Sequence, residues 1–166
     1  VVMARKGDLA GARLHLDGIP AQNDSQRVQV ALAHEQILRD ARQFKEALQV
    51  LNAAIQTVPG DKDLLYARAL IAEKLNLLEV TERDLREILK KDPKNVNALN
   101  ALGSTLTDRT TRHDEAHELL QQAMELKPDD AFIMDSMGWL QYRRGNTAEA
   151  LKYLRRALEI RNDAEI

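Results

Sequence analysis

The stretch His113-Asp114-Glu115-Ala116-His117 is where this sequence comes nearest to catalytic chemistry. Two histidines four residues apart share one face of a helix and could hold a zinc ion. Hydrolytic sites of that kind place glutamate directly after the first histidine, and here that position is Asp114. No third ligand follows at a distinctive spacing. A metal-dependent hydrolase is therefore only an alternative reading, both histidines are expected to face solvent, and neither metal nor cofactor is expected. His15 and His34 have no partner at a catalytic spacing, and Ser25, Ser104 and Ser136 lie outside any nucleophile elbow. The glycines are scattered and form no phosphate cradle. Carboxylates are abundant but fall on polar helix faces, where solvation accounts for them. The chain reads as a non-enzyme.

Composition narrows the remaining classes. A chain of 166 residues suits one domain of ordinary size. With 44% hydrophobic and 30% charged residues, disorder is disfavoured. Only 4% is aromatic, which leans towards helix and away from a β-sandwich or barrel. The absence of cysteine excludes a disulfide framework and a cysteine zinc site. The net charge of −2 provides no positive field for nucleic acid. No apolar run reaches the roughly 18 residues of a membrane span.

The elements that would carry any site repeat along the chain. Pro59, Pro93 and Pro128 are spaced by 34 and then 35 residues. Upstream of each stands the same ladder: Ala47, Leu51 and Ala54; Thr81, Leu85 and Ile88; Ala116, Leu120 and Ala123. Ala150, Leu154 and Ala157 repeat it before Asn162, and Ala12, Leu16 and Ile19 fit it before Asp24. Steps of four and three put the rungs on one helix face, and proline then stops the helix. A second apolar pattern precedes each ladder, with Gly103 and Gly138 inside it. Glycine within a helix costs about 1 kcal/mol against alanine. Close approach to a partner helix at the small residues Ala116 and Ala150 would explain both.

This pattern resembles the tetratricopeptide repeat (TPR), a helix–turn–helix unit of 34 residues. The resemblance covers the whole chain, with full units at 28–61, 62–95, 96–130 and 131–164 and a partial unit at 1–27. It implies an all-α solenoid of stacked antiparallel helix pairs in a right-handed superhelix, each unit touching its neighbours. Three departures stand out. Glu35 occupies a position where the family prefers glycine or alanine. The third unit carries an extra residue near Thr110-Thr111-Arg112, and the usual tryptophan of the first helix is replaced by Ala31, Leu65, Leu99 and Met134. A carboxylate at Glu35 must turn to solvent, meet an arginine, or line the groove. The incomplete opening unit and Ala164-Glu165-Ile166, which begins another, lead us to expect a piece of a longer array whose end helices pack on something, such as a second copy.

The family's geometry points particular positions of each first helix into a concave face. Those chosen here as partner-binding are Phe132, Asp135, Ser136, Trp139, Tyr142 and Arg143 in the fourth unit, Asn97, Asn100 and Ser104 in the third, and Tyr66 and Leu70 in the second. Thr107 and Asp108 share that set of positions. Phe132, Trp139 and Tyr142 are three of six aromatics, and aromatics beside arginine make interface anchors. Packing of Trp139 and Tyr142 between helices is the competing reading. Asparagine both donates and accepts, which suits an extended peptide backbone. The Lys and Asn clamp with which some family members hold a peptide C-terminus is not reproduced. Arg143-Arg144 and Arg155-Arg156 make a basic corner of net +2 over residues 141–166, too weak for nucleic acid and read mainly as solvated surface.

A narrower resemblance runs from Asp130 to Arg143 and through Ala148-Glu149-Ala150-Leu151 to Tyr153-Leu154. It is similar to the C-terminal repeats of Gram-negative TPR lipoproteins. That resemblance implies a parent protein anchored at the outer membrane and facing the periplasm, acting as an adaptor for a C-terminal processing protease or its substrates. The expected function is a protein-interaction scaffold. Self-association through the end helices or the groove is the alternative within binding.

Overall fold

In the computed structural model the described residues are 22–163. The rungs Ala12, Leu16 and Ile19, together with His15, nearly all of the partial unit and residues 164–166, lie outside them. The described residues form eight helices and no strand: α1 (Asp24–Asp40), α2 (Phe44–Thr57), α3 (Lys62–Lys74), α4 (Leu78–Lys91), α5 (Val96–Arg109), α6 (His113–Leu126), α7 (Ala131–Arg143) and α8 (Thr147–Asp163). This is the all-α TPR fold. None of these helices is long and apolar enough to cross a membrane.

Starts and stops follow from the local chemistry. Two residues after Pro59, Pro93 and Pro128 stands an acid or amide that caps the next helix. Asp61 accepts from the Asp63 and Leu64 amides, Asn95 from Ala98, and Asp130 from Phe132 and Ile133. A cap of this kind is worth about 1 kcal/mol. Three of the turns inside helix pairs pass through a left-handed residue: Arg42 (φ 58°), Asn76 (φ 61°) and Gly145 (φ 83°). The third pair has its extra residue here and exits through extended Thr110 (φ −139°, ψ 179°). The insertion removes the need for a left-handed residue.

The chain divides into two compact units, with the boundary inside α4 between Asp84 and Leu85. In the first unit, Val28, Ala31 and Leu38 of α1, Ala47 and Leu51 of α2, and Leu64 and Ile71 of α3 form one core. Each fully buried leucine contributes roughly 1.5–3 kcal/mol. Polar groups are buried with them. Arg68 makes a bidentate pair with Asp84, 2.6 and 2.9 Å, and reaches Asn52 Oδ1 at 2.9 Å. Asp84 is 1% exposed. One network thereby ties α2, α3 and α4 together.

Glu35 is buried on α1, with Arg39 Nε 3.0 Å from its carboxylate. Of the three sequence expectations, the arginine pair is the one realised, and burial removes Glu35 from any groove. Desolvation pushes its carboxyl above the usual range; Arg39 opposes this and Asp40 adds to it.

In the second unit the helices cross where glycine allows it. A Cβ on Gly103 would stand 2.7 Å from Leu120 Cγ and 3.2 Å from the Ala116 carbonyl oxygen. On Gly138 it would stand 2.8 Å from Leu154 Cγ and 3.3 Å from the Ala150 carbonyl oxygen. The alanines foreseen from the sequence do lie at the crossings, but the leucine one turn later makes the tighter contact. Leu99, Ala123 and Ile133 fill the space between α5, α6 and α7.

Candidate functional site

The exposed face of α7 holds the largest accessible aromatic surface among the described residues. Phe132 is 73% exposed, Trp139 41% and Tyr142 54%. Their spacing explains the shared face: seven residues is about two helical turns, and three more is nearly another. Trp139 and Tyr142 stack, with ring centroids 5.3 Å apart and an interplanar angle of 25°. Both rings are therefore on the surface instead of packed between helices.

Helix α5 packs beside α7 and fixes this face. Trp139 Nε1 donates to Asp108 Oδ1 at 2.5 Å, and Arg143 Nη1 lies 4.0 Å from the same oxygen. One carboxylate thus holds both the indole and the guanidinium. Ser136 donates to the Phe132 carbonyl oxygen at 3.0 Å, and Asp135 is 3.3 Å from Arg161 of α8. Asn97 is exposed near the start of α5, while Asn100 and Ser104 are half-buried. Asn100 Oδ1 is shielded from solvent and accepts no hydrogen bond. A buried acceptor left that way costs about 1–3 kcal/mol.

The structure departs from the sequence reading in several places. Thr107 shares the groove-facing register but is fully buried, its hydroxyl donating to the Gly103 carbonyl oxygen at 2.8 Å. A hydroxyl inside α5 finds its partner one turn back and needs no solvent. His113 and His117 are half-buried, not open to solvent, and His113 Nε2 is shielded without a partner. Among the described residues, no three His, Cys, Asp or Glu side chains come together as a metal site. The basic corner is largely neutralised: Arg143 meets Asp108, Arg144 meets Asp114 at 2.8 Å, and Arg156 meets Asp129 at 3.4 Å.

Tyr66 and Leu70 stand on α3, in the first unit, half-buried, and burial pushes the Tyr66 phenol up. The second unit brings together Asn97, Asn100, Ser104, Phe132, Asp135, Ser136, Trp139, Tyr142 and Arg143 on α5 and α7. The functional residue passed over in choosing anchors is Asp108. Its signal was its groove-facing register on the helix next to the aromatics.

Comparison with known proteins bears on this arrangement. The family described as Tetratricopeptide repeat matches residues 32–80 and 108–165. A TPR repeat-containing protein of Pseudomonas aeruginosa is 41% identical over 165 residues, taking in 99% of this chain and 28% of that protein. The chain thus spans little more than a quarter of this relative's length. Among solved structures, a MamA fragment from Desulfovibrio magneticus superposes with a TM-score of 0.77 at 16% identity, covering 97% of this chain and 90% of that one. A tetratricopeptide repeat protein from Parabacteroides merdae gives 0.78 at 20% identity, covering 95% of this chain and 62% of that one. At these identities the likeness is one of fold.

Proposed function

The chain belongs to the tetratricopeptide repeat family, and from that premise we propose that it is a non-catalytic scaffold whose second unit receives an extended partner segment across α5 and α7. The observation that carries this is the exposed aromatic face of α7, held in place by Asp108. Stacked rings offer a large apolar area with few rotamers to lose, the usual make-up of a binding hot spot. Asn97, exposed near the start of α5, offers an amide that both donates and accepts. Tyr66 and Leu70 give the first unit a smaller patch of its own.

Trp139 is the sole tryptophan, so its fluorescence reports directly on this face. Peptides selected from a random displayed library against the chain should shift its emission to the blue. Phe132→Ala and Trp139→Ala should each weaken those peptides by about 2 kcal/mol, roughly thirtyfold. Peptides that bind while both substitutions leave their affinity unchanged would remove the site.

The finer reading is an adaptor whose parent is held at the outer membrane facing the periplasm, with a C-terminal processing protease or its substrates as partner. It is supported by the resemblance of residues 130–154 alone. Fractionation of cells carrying the tagged parent protein checks it; recovery in the cytoplasm would end it.

A further inference from the structure

Asp108 does more than support the α7 face. Its Oδ1 accepts from the Trp139 indole at 2.5 Å and lies 4.0 Å from Arg143 Nη1. That second distance is beyond hydrogen-bond range, so Arg143 does not fill the carboxylate. Oδ2 accepts from no group among the described residues, and the side chain is 45% exposed.

The opening at Asp108 exists with the next helix pair, α7 and α8, already in place beside α5. The Trp139 indole leans back over α5 to reach it, away from the direction in which the repeats advance. Repeat register carries the point to α7 itself. The α5 equivalents of Phe132 and Trp139 are Asn97 and Ser104, and with a following pair beside them the first is exposed and the second half-buried. Tyr142 takes no part, because its equivalent, Thr107, is fully buried.

A carboxylate oxygen with no protein partner thus stands at the edge of an accessible indole. That pair is complementary to a cation: the ring attracts it through its quadrupole, and the oxygen through charge and a hydrogen bond. A guanidinium suits both, because its plane stacks on the ring while an N–H reaches the oxygen. Phe132, two helical turns back on the same face and about 10 Å away, gives an apolar contact to a flanking residue. The other charges on this face leave Asp108 as the carboxylate to be met. Asp135 already lies 3.3 Å from Arg161, and Arg143 competes for Asp108 only from 4.0 Å.

We propose that the segment received across α5 and α7 carries an arginine, whose guanidinium stacks on Trp139 and donates to Asp108 Oδ2, with an apolar neighbour on Phe132. This rests on the function proposed above and names the chemistry of its partner. Arg143 is then a competitor for the carboxylate, not the contact of an acidic partner.

The displayed random library tests this once the selected peptides are read for composition. Those that lose affinity on Phe132→Ala or Trp139→Ala should be richer in arginine than the unselected pool. One of them, and the same peptide with its arginine replaced by glutamine, are titrated by calorimetry against the wild type and Asp108→Asn. Asparagine keeps a carbonyl for the indole and removes the charge. On the wild type, replacing the arginine should cost about tenfold in affinity, and Asp108→Asn should cost the arginine peptide about as much. Asp108→Asn should separate the two peptides much less than the wild type does, a coupling that a merely structural role for Asp108 would not produce. Arg143→Gln, which frees the carboxylate, should bind the arginine peptide severalfold more tightly. Peptides that need Phe132 and Trp139 but carry no excess of arginine would overturn the inference and leave the proposed function standing. So would losses that simply add in the double change, or weaker binding of the arginine peptide by Arg143→Gln. Peptides that bind with no dependence on Phe132 or Trp139, or a library that yields none, would remove the proposed function and this inference with it.

Discussion

The two compact units solve one packing problem with different residues, and the difference separates stability from binding. At the helix crossings the register positions are Glu35 and Ala69 in the first unit and Gly103 and Gly138 in the second. The second unit brings its helices together directly, with leucine side chains over glycine. The first fills the corresponding space with bulkier groups and then satisfies the polar ones. Glu35 is held by Arg39, and the Thr81 hydroxyl lies 3.2 Å from the carbonyl oxygens of Ala69 and Leu77. Its charged network is inward, on Arg68 and Asp84. In the second unit, apart from the Thr105 and Thr107 hydroxyls and the Gln141 amide, the buried residues are apolar or glycine, and the polar and aromatic anchors face outward. A helix pair that packs through small residues leaves its long side chains free for a partner.

Substitutions sharpen that contrast. The largest effect is expected at Asp84. Asp84→Ala leaves Arg68 charged and mostly buried, and should cost about 3–5 kcal/mol, with lost hydrogen-exchange protection concentrated in the first unit. Next is Gly138→Val, which drives a branched side chain into Leu154 and the Ala150 carbonyl; about 2 kcal/mol should be lost, this time in the second unit. Equal loss of protection in both units, for either variant, would break the comparison. Trp139→Ala should change stability by less than about 1 kcal/mol. Its effect belongs to binding, which a thermal melt and a peptide titration on the same sample will separate.

The smallest effect is that of Glu35→Gln. Because the folded carboxyl is raised above its unfolded value, the folded state keeps that proton to higher pH. The associated stability is present at low pH and is lost as pH rises through the folded value. The glutamine variant, which mimics the protonated form, should melt with the wild type near about pH 4 and above it at neutral pH. A variant less stable at neutral pH would show that the Arg39 pair outweighs desolvation.

Much of this architecture was readable in the sequence because repetition amplifies weak signals. One Ala-Leu-Ala ladder before a proline is ambiguous; several in register specify helix pairs. The aromatic face was legible for the same reason, since register assigns Phe132, Trp139 and Tyr142 to one side of α7. What register does not give is how far each side chain is covered. Thr107 occupies an outward position and is buried, because a short hydroxyl can satisfy itself on its own helix. The Arg68–Asp84 pair joins residues 16 apart on different helices, and no local spacing marks it. Asp108 was visible as a groove position, but its hold on the indole depends on α5 lying next to α7.

If the α7 aromatic face is an open binding surface, the single tryptophan is within reach of a quencher until a partner covers it. Iodide should quench Trp139 strongly in the dilute free chain and weakly once a selected peptide is bound at saturation. Quenching that is equally strong with and without a bound peptide would place the binding away from α7.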